Sequence, residues 1–139
     1  KDMTSKKLMK TFVVRRYKVL EKMLNVNHTL FGGEVMGWMD KVGHLLAVSI
    51  TNKTMYTLTA DKIKFLKPAY LNEIIEVKSE PIELGAVKLS LQLTAIADPD
   101  GDNRRTIATG IFTFVQVDEA SHRPQRISYP LDDLETYVV

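Results

Sequence analysis

The sequence predicts an α+β fold in which one long helix lies against a mainly antiparallel sheet. Two hydrophobic periods carry this prediction. Apolar residues recur every three or four positions from about residue 33 to residue 49, which is typical of an amphipathic helix. Between Asn52 and Val117 the period falls to about two, which indicates several strands in succession. The predicted order is therefore strand, helix and then four strands.

The boundaries of these elements follow from local residue types. A β-rich run from Thr11 to Leu20 predicts the first strand. The helix is predicted from about Gly33 to Ser49, with Thr29 or the Gly32-Gly33 pair at its start. Four further strands are predicted from Met55 to Phe65, Ile74 to Leu84, Ala86 to Ala97 and Thr106 to Val117.

The last two strands have the clearest burial patterns. The strand over 86–97 alternates, and its predicted buried face holds Val87, Leu89, Leu91, Leu93 and Ala95. The strand over 106–117 is apolar on both faces, which predicts a central position in the sheet. A turn rich in Asp, Asn and Gly at 98–103 joins the two.

Length and composition limit the number of domains and the class of protein. A chain of 139 residues predicts one domain. We place its core at about residues 12–118, between a polar, flexible N-terminus at 1–10 and a C-terminal tail at 119–139 that ends in a short helix near residues 131–137. Hydrophobic residues make up 45% and charged residues 26%, values that are typical of soluble globular domains.

Composition also argues against several partners. No apolar run reaches the roughly 18 residues that span a bilayer, and no secretory signal pattern is visible, so we expect no membrane partner. The chain has no cysteine and only three histidines, which excludes disulfides and gives no zinc spacing. A net charge of +2 is too small to predict nucleic-acid binding. A cytoplasmic location is expected.

Glycines are concentrated in the predicted helix. Four of the seven fall between residues 32 and 43, although each glycine inside a helix costs about 1 kcal/mol relative to alanine. Helical spacing places most of them on one face together with a carboxylate: Gly33, Gly37, Asp40, Gly43 or His44, and Ala47. Such a face lets a ligand or a second helix approach closely. The other interpretation is close packing alone, with Asp40 an exposed surface acid.

The start of the helix is a candidate anion site. Unpaired amides and the helix dipole stabilise negative charge there, and two successive glycines leave the backbone accessible. The run Phe31-Gly32-Gly33 therefore predicts either an oxyanion site or a simple turn.

Several of these residues stand in a recognisable order. Residues 25–33 read Asn-Val-Asn-His-Thr-Leu-Phe-Gly-Gly, and Asp40 follows seven positions later. Residues 65–68 read Phe-Leu-Lys-Pro, and residues 108–115 read Ala-Thr-Gly-Ile-Phe-Thr-Phe-Val. From about residue 12 to residue 130 the chain resembles the hot-dog-fold acyl-CoA thioesterases of the bacterial and mitochondrial acyl-CoA hydrolase type. The resemblance implies a hot-dog fold, in which five or six antiparallel strands wrap around one long helix.

The resemblance also implies an activity, the hydrolysis of acyl-CoA to a free carboxylic acid and coenzyme A. Asp40 would be a general base acting on water or a nucleophile attacking the thioester carbonyl. Asn25 would position water or substrate, and the amides of Gly33 and Gly32 would bind the oxyanion. Further substrate contacts are expected at His28, Thr29, Phe31, Phe65, Lys67, Pro68 and Lys88. No metal or redox cofactor is implied.

The implied assembly is a homodimer with shared active sites, built into a hexamer as a trimer of dimers. Asn25 and Asp40 would then come from different chains. The rival interpretation is a non-catalytic acyl-CoA binding or sensing domain, since one fold serves several functions. The presence of Asp40 favours the enzyme, because a sensor has no chemical use for that acid. A hot-dog dehydratase or hydratase is less favoured, because His28 is the only candidate for its catalytic histidine.

The chain departs from the family pattern in three places. His28 stands where the family has glycine, Asn72-Glu73 replaces Gly-Asp, and residues 85–88 read Gly-Ala-Val-Lys without the family's arginine. His28 could contact substrate, but a solvated loop histidine is favoured. His44, four residues after Asp40, could pair with that carboxylate, and a structural or tuning role is favoured for it.

Overall fold

The computed structural model describes residues 8–129, in which one long helix packs against a six-stranded sheet. The helix, α1, spans Gly32–Thr51 and follows a short 3-10 helix at Glu21–Met23. The strands are β1 (Val13–Lys18), β2 (Met55–Phe65), β3 (Ile74–Leu84), β4 (Leu89–Ala97), β5 (Arg105–Val117) and β6 (Pro124–Gln125). The predicted helix near residues 131–137 and most of the predicted flexible N-terminus lie outside the described residues.

The sheet is antiparallel, with the strand order β1-β3-β4-β5-β2. β6 pairs with β5 at Gln116 and Val117, past the point where the pairing of β4 with β5 begins at Leu89 and Phe114. The predicted α+β class is confirmed. β6 was not predicted, because two residues that begin with a proline show no hydrophobic period.

Most element boundaries agree with the prediction. β2 and β3 have the predicted bounds, and β1 and α1 differ from theirs by one or two residues at each end. β4 begins at Leu89 rather than Ala86, because the Gly85 amide donates to the Lys88 carbonyl at 2.9 Å and residues 85–88 form a tight turn. Val87 is therefore 52% exposed, so its predicted place on the buried face was wrong. A Cβ on Gly85 would lie 2.5 Å from the Lys88 oxygen, so the turn requires glycine.

The core lies between one face of α1 and the inner face of the sheet. Trp38 is buried in it and stacks on Tyr17 of β1 with the ring centroids 4.6 Å apart. β5 runs between β4 and β2, and every residue from Phe112 to Val117 is buried, which confirms its predicted central position. The helix contributes these buried apolar side chains: Val35, Trp38, Met39, Val42, Leu46 and Ile50.

The predicted small-residue face of α1 is divided in the structure. Gly43 and Ala47 are buried against the sheet, and a Cβ on Gly43 would lie 3.0 Å from Phe114 Cζ. Gly33 and Gly37 are exposed, and a Cβ on either would meet no atom of residues 8–129 within 4 Å. The single-face prediction was wrong because Gly43 lies about 80° around the helix from Gly33.

β2 is an open edge of the sheet. Residues 56–62 are all exposed, on both faces of the strand. Its pairing with β5 is irregular between Asp61 and Lys64, where Lys62 has φ 53°. This bulge turns Ile63 inward, so that its Cδ1 atom fills the space beside Gly110 of β5.

Within residues 8–129, no helix is long and apolar enough to cross a membrane. The same region holds no group of three or more histidine, aspartate or glutamate side chains that could bind a metal ion.

Candidate active site

The first turn of α1 leaves two backbone amides without acceptors. Phe31 occupies the N-cap position, and its carbonyl accepts from the amides of Glu34 and Val35 at 3.1 and 3.4 Å. The amides of Gly32 and Gly33 donate to no group within residues 8–129. Unpaired amides at a helix start stabilise negative charge, so Gly32 and Gly33 remain the predicted oxyanion site. Thr29, the alternative start, is not the cap, because the helix begins at Gly32.

The two glycines have different surroundings. A Cβ on Gly32 would lie 3.1 Å from Phe65 Cζ, so the Phe65 ring packs directly over this residue. Gly33 is exposed and open to its surroundings. The Gly33 amide is therefore the more accessible donor for an incoming carbonyl oxygen.

A cavity of about 360 Å³ adjoins the start of α1. It brings together several predicted site residues, since Gly32, Phe65, Lys67 and Pro68 all line it. Its full lining is Leu30, Gly32, Val35, Phe65, Leu66, Lys67, Pro68, Ala69 and Ile107. An apolar floor beneath helix amides suits an acyl group whose carbonyl must reach a hydrogen-bond donor. Phe31 is half-exposed and lies outside this lining.

Asp40 is half-buried near the middle of α1 and has one hydrogen-bond partner in the described chain. The Thr57 hydroxyl of β2 donates to Asp40 Oδ1 at 2.7 Å. Asp40 Oδ2 accepts no hydrogen bond from residues 8–129 and is free to act on a substrate. Thr57 was not predicted as a site residue, because one threonine in a β-rich strand carries no signal of its partner.

His44 does not make the contact with Asp40 that helical spacing allows. Its Nε2 atom lies 3.0 Å from the Met55 carbonyl oxygen and donates to it, which ties α1 to the first residue of β2. The contact agrees with the structural role that was favoured for His44.

Asn25 organises the loop before α1. Its side-chain oxygen accepts from the amides of Asn27 and Thr29 at 2.9 and 3.1 Å, and its Nδ2 donates to the Thr29 hydroxyl at 2.9 Å. Asn25 and His28 line a separate surface depression of about 540 Å³ with Tyr70 and other residues. Thr29 therefore supports Asn25 in this chain.

The chain does not join all the predicted residues in one place. Asn25 and Asp40 share no hydrogen bond within residues 8–129, because Asn25 bonds inside its loop and Asp40 bonds to Thr57. Lys88 lines a third cavity, with Asp61 and Glu83 among its neighbours. The helix start and its cavity form one centre, and Asn25 and Lys88 lie apart from it.

Two departures from the family pattern fall at left-handed backbone positions. His28 has φ 63° and Asn72 has φ 70°, and both stand where the family has glycine. Glycine adopts this conformation without strain, whereas side chains with a Cβ rarely do. The chain therefore adopts a left-handed backbone at both places and accepts strain at His28.

We expect the His28→Gly variant to be more stable than the wild type by about 1 kcal/mol. Glycine removes the strain at φ 63°, and its greater freedom in the unfolded chain offsets only part of that gain. Urea unfolding followed by Trp38 fluorescence measures the difference. The control is His28→Ala, which removes the imidazole but keeps the strained Cβ, and it should gain nothing. A glycine variant less stable than the wild type would contradict the interpretation.

Comparison with known proteins identifies the family to which the chain belongs. A family model described as the thioesterase superfamily matches residues 27–102, which is more than half of the chain. The chain belongs to the thioesterase superfamily. A Haemophilus influenzae protein named an uncharacterized acyl-CoA thioester hydrolase is 26% identical over 98 residues. The match covers 68% of this chain and 64% of that protein, so the chain spans a little under two thirds of this relative.

Solved structures share the fold. A hexameric hotdog fold thioesterase of Campylobacter jejuni superposes with a TM-score of 0.74 at 21% identity, over 82% of this chain and 88% of that one. An acyl-CoA hydrolase of Staphylococcus aureus, in complex with butyryl coenzyme A, coenzyme A and coenzyme A disulfide, gives 0.76 at 23% identity. That match covers 94% of this chain and 78% of the other. The predicted hot-dog fold is confirmed.

Proposed function

We propose that the chain is an acyl-CoA thioesterase that hydrolyses acyl-CoA to a carboxylic acid and coenzyme A. The observation that carries the proposal is the Asp40 carboxylate, which stands on the open face of α1 with Oδ2 unengaged within residues 8–129. The same helix begins with two free amides beside an apolar cavity. A carboxylate and an oxyanion site are the two groups that acyl transfer to water requires.

In the proposed reaction, water is the second reactant and the catalytic groups all belong to the protein. The thioester carbonyl oxygen accepts from the Gly33 amide, with Gly32 as a second donor, while Asp40 removes a proton from water or attacks the carbonyl carbon itself. The C–S bond then breaks, and the proton taken from water passes to the thiolate. When Asp40 acts as base, the acyl carbon gains the hydroxyl of water directly; when Asp40 attacks, water cleaves the anhydride that joins the acyl group to Asp40 and regenerates the carboxylate. The leaving thiolate needs little acid assistance, because a thiol has a pKa of about 8.5. No metal or redox cofactor is needed.

Thr57 would hold the carboxylate in place through its hydrogen bond. Structures of the S. aureus hydrolase include variants in which an asparagine, an aspartate and a threonine are each replaced by alanine. That aspartate follows the asparagine by 15 positions and precedes the threonine by 17. Asn25, Asp40 and Thr57 have the same spacing, which supports assigning them to one site.

We further propose a homodimer in which Asn25 of one chain completes the site of Asp40 of the other, with three dimers forming a hexamer. Three observations support an active site that is shared between two chains. Asn25 and Asp40 have separate partners within one chain, β2 is an open edge with residues 56–62 exposed, and Gly33 and Gly37 leave the helix face free for close approach. Pairing of two β2 edges is a common way to protect such an edge.

Thiol release from a series of short to long acyl-CoA substrates tests the activity, and mixing two inactive variants tests the sharing. Asn25→Ala and Asp40→Asn should each be inactive. After the two are unfolded and refolded together, about a quarter of the sites should be intact, since only mixed dimers hold one complete site. Recovery of no activity would contradict shared sites. A wild type that binds acyl-CoA without releasing thiol would support the sensing domain instead.

A further inference from the structure

Arg105, the first residue of β5, bonds to two parts of the segment that follows β2. Its Nη2 and Nη1 atoms donate to the two carboxylate oxygens of Glu73 at 2.6 and 3.0 Å. Its Nη2 and Nε atoms also donate to the Pro68 carbonyl at 2.9 and 3.3 Å. Such a fork requires the planar guanidinium group, because an ammonium group cannot present parallel donors to two acceptors.

The Pro68 carbonyl belongs to the wall of the cavity beside the helix start. Residues 65–69 form one side of that cavity. The Leu66 amide donates to the Ile107 carbonyl of β5 at 2.8 Å, and the Leu30 amide donates to the Ala69 carbonyl at 2.9 Å. Leu30 lies two residues before α1 begins. The wall therefore connects β5 to the start of the helix, and Arg105 supplies the side-chain donor that holds it at Pro68.

The Glu73 carboxylate is held from a second side. Its Oε1 atom also accepts from the Tyr70 amide at 2.8 Å, and the Tyr70 ring centroid lies 5.8 Å from the Arg105 guanidinium carbon. The side chains of Arg105 and Glu73 are only 12% and 19% exposed. Hydrogen bonds from Arg105 keep the pKa of Glu73 below its ordinary value, so the carboxylate is charged at neutral pH.

We propose that Arg105 and Glu73 are positioning residues, whose ion pair fixes the wall over 65–69 relative to the helix start so that a bound thioester meets the Gly33 amide. This inference rests on the proposed thioesterase function. Neither side chain lines the cavity, so both act through the Pro68 carbonyl and the backbone beyond it. Through this contact they fix the position of the bound substrate. A change in that position can be measured separately from a change in folding stability.

The test is the Arg105→Lys variant, which keeps the positive charge and loses the fork. We expect the KM for a hydrolysed acyl-CoA to rise about tenfold, because KM does not depend on the folded fraction of the sample. The Kd of a non-hydrolysable acyl-CoA analogue, in which a methylene group replaces the thioester sulfur, should rise similarly when it is measured by calorimetry. Glu73→Gln is the second variant, and we expect it to raise KM about threefold. It replaces Arg105→Lys in the test if that variant does not fold.

The matched control is Arg16→Lys. Arg16 of β1 makes a similar fork with Glu76 and Asp100, and no residue of that network lines the cavity. Its KM should equal that of the wild type. A KM and Kd unchanged in Arg105→Lys, or raised equally in Arg16→Lys, would overturn the positioning role while the wild type still hydrolyses substrate. A wild type without turnover would overturn the proposed function, and the Kd of the acyl-CoA analogue would then decide the role of Arg105. If the wild type does not bind the analogue either, both proposals fail.

Discussion

Replacement of Asp40 with asparagine is expected to lower kcat by at least a hundredfold, which corresponds to about 3 kcal/mol of transition-state stabilisation. Asparagine has the shape of aspartate, and its carbonyl oxygen can still accept from the Thr57 hydroxyl at the position of Oδ1. It cannot take a proton from water or attack a carbonyl carbon. The variant should therefore fold as the wild type does and bind acyl-CoA, but release thiol very slowly.

Asp102→Asn is the matched control for this variant. Asp102 is an exposed carboxylate in the turn between β4 and β5, and it lines none of the cavities described above. Its replacement changes the net charge by the same amount and should leave kcat within about twofold, as is usual for surface substitutions away from a site. A loss below tenfold in Asp40→Asn, or an equal loss in Asp102→Asn, would rule out Asp40 as base or nucleophile.

The spacing of hydrophobic residues predicted the fold well, because the burial of side chains directly determines that spacing. The helix and the bounds of β3 follow from which side chains meet the core, and this information is local. Val87 failed the same rule because a backbone contact, from the Gly85 amide to the Lys88 carbonyl, decides where β4 begins. No side-chain pattern reports such a contact. β6 escaped prediction for a related reason, since its two residues are paired by the register of β5.

The candidate site was predictable only in part, because its contacts join distant segments. Asp40 and the Gly32-Gly33 pair stand in one motif, so a family resemblance places them without a structure. The Thr57 hydroxyl on Asp40 depends on how β2 packs beside α1. The same packing directs His44 to the Met55 carbonyl rather than to Asp40, although helical spacing alone allows the latter contact.

Gly33→Pro is expected to lower kcat/KM by about 10²- to 10³-fold, the typical effect of losing one oxyanion donor. Gly33 is the second residue of α1, and its amide has no acceptor within residues 8–129, so proline removes no hydrogen bond of the described fold. The fixed φ of proline suits the first turn of a helix. The preceding residue is Gly32, whose missing Cβ reduces the clash that a proline causes before it.

The Gly33→Ala variant distinguishes two possible roles of Gly33, the hydrogen bond from its amide and the open space beside a residue without a side chain. Alanine keeps the N–H group, and its Cβ would meet no atom of residues 8–129 within 4 Å. We expect kcat/KM within about threefold of the wild type for alanine, against the large loss for proline, with similar melting temperatures for all three proteins. Equal losses in both variants would mean that Gly33 is needed for close approach of substrate or a second chain. Full activity in the proline variant would leave the Gly32 amide, beneath the Phe65 ring, as the remaining donor at the helix start.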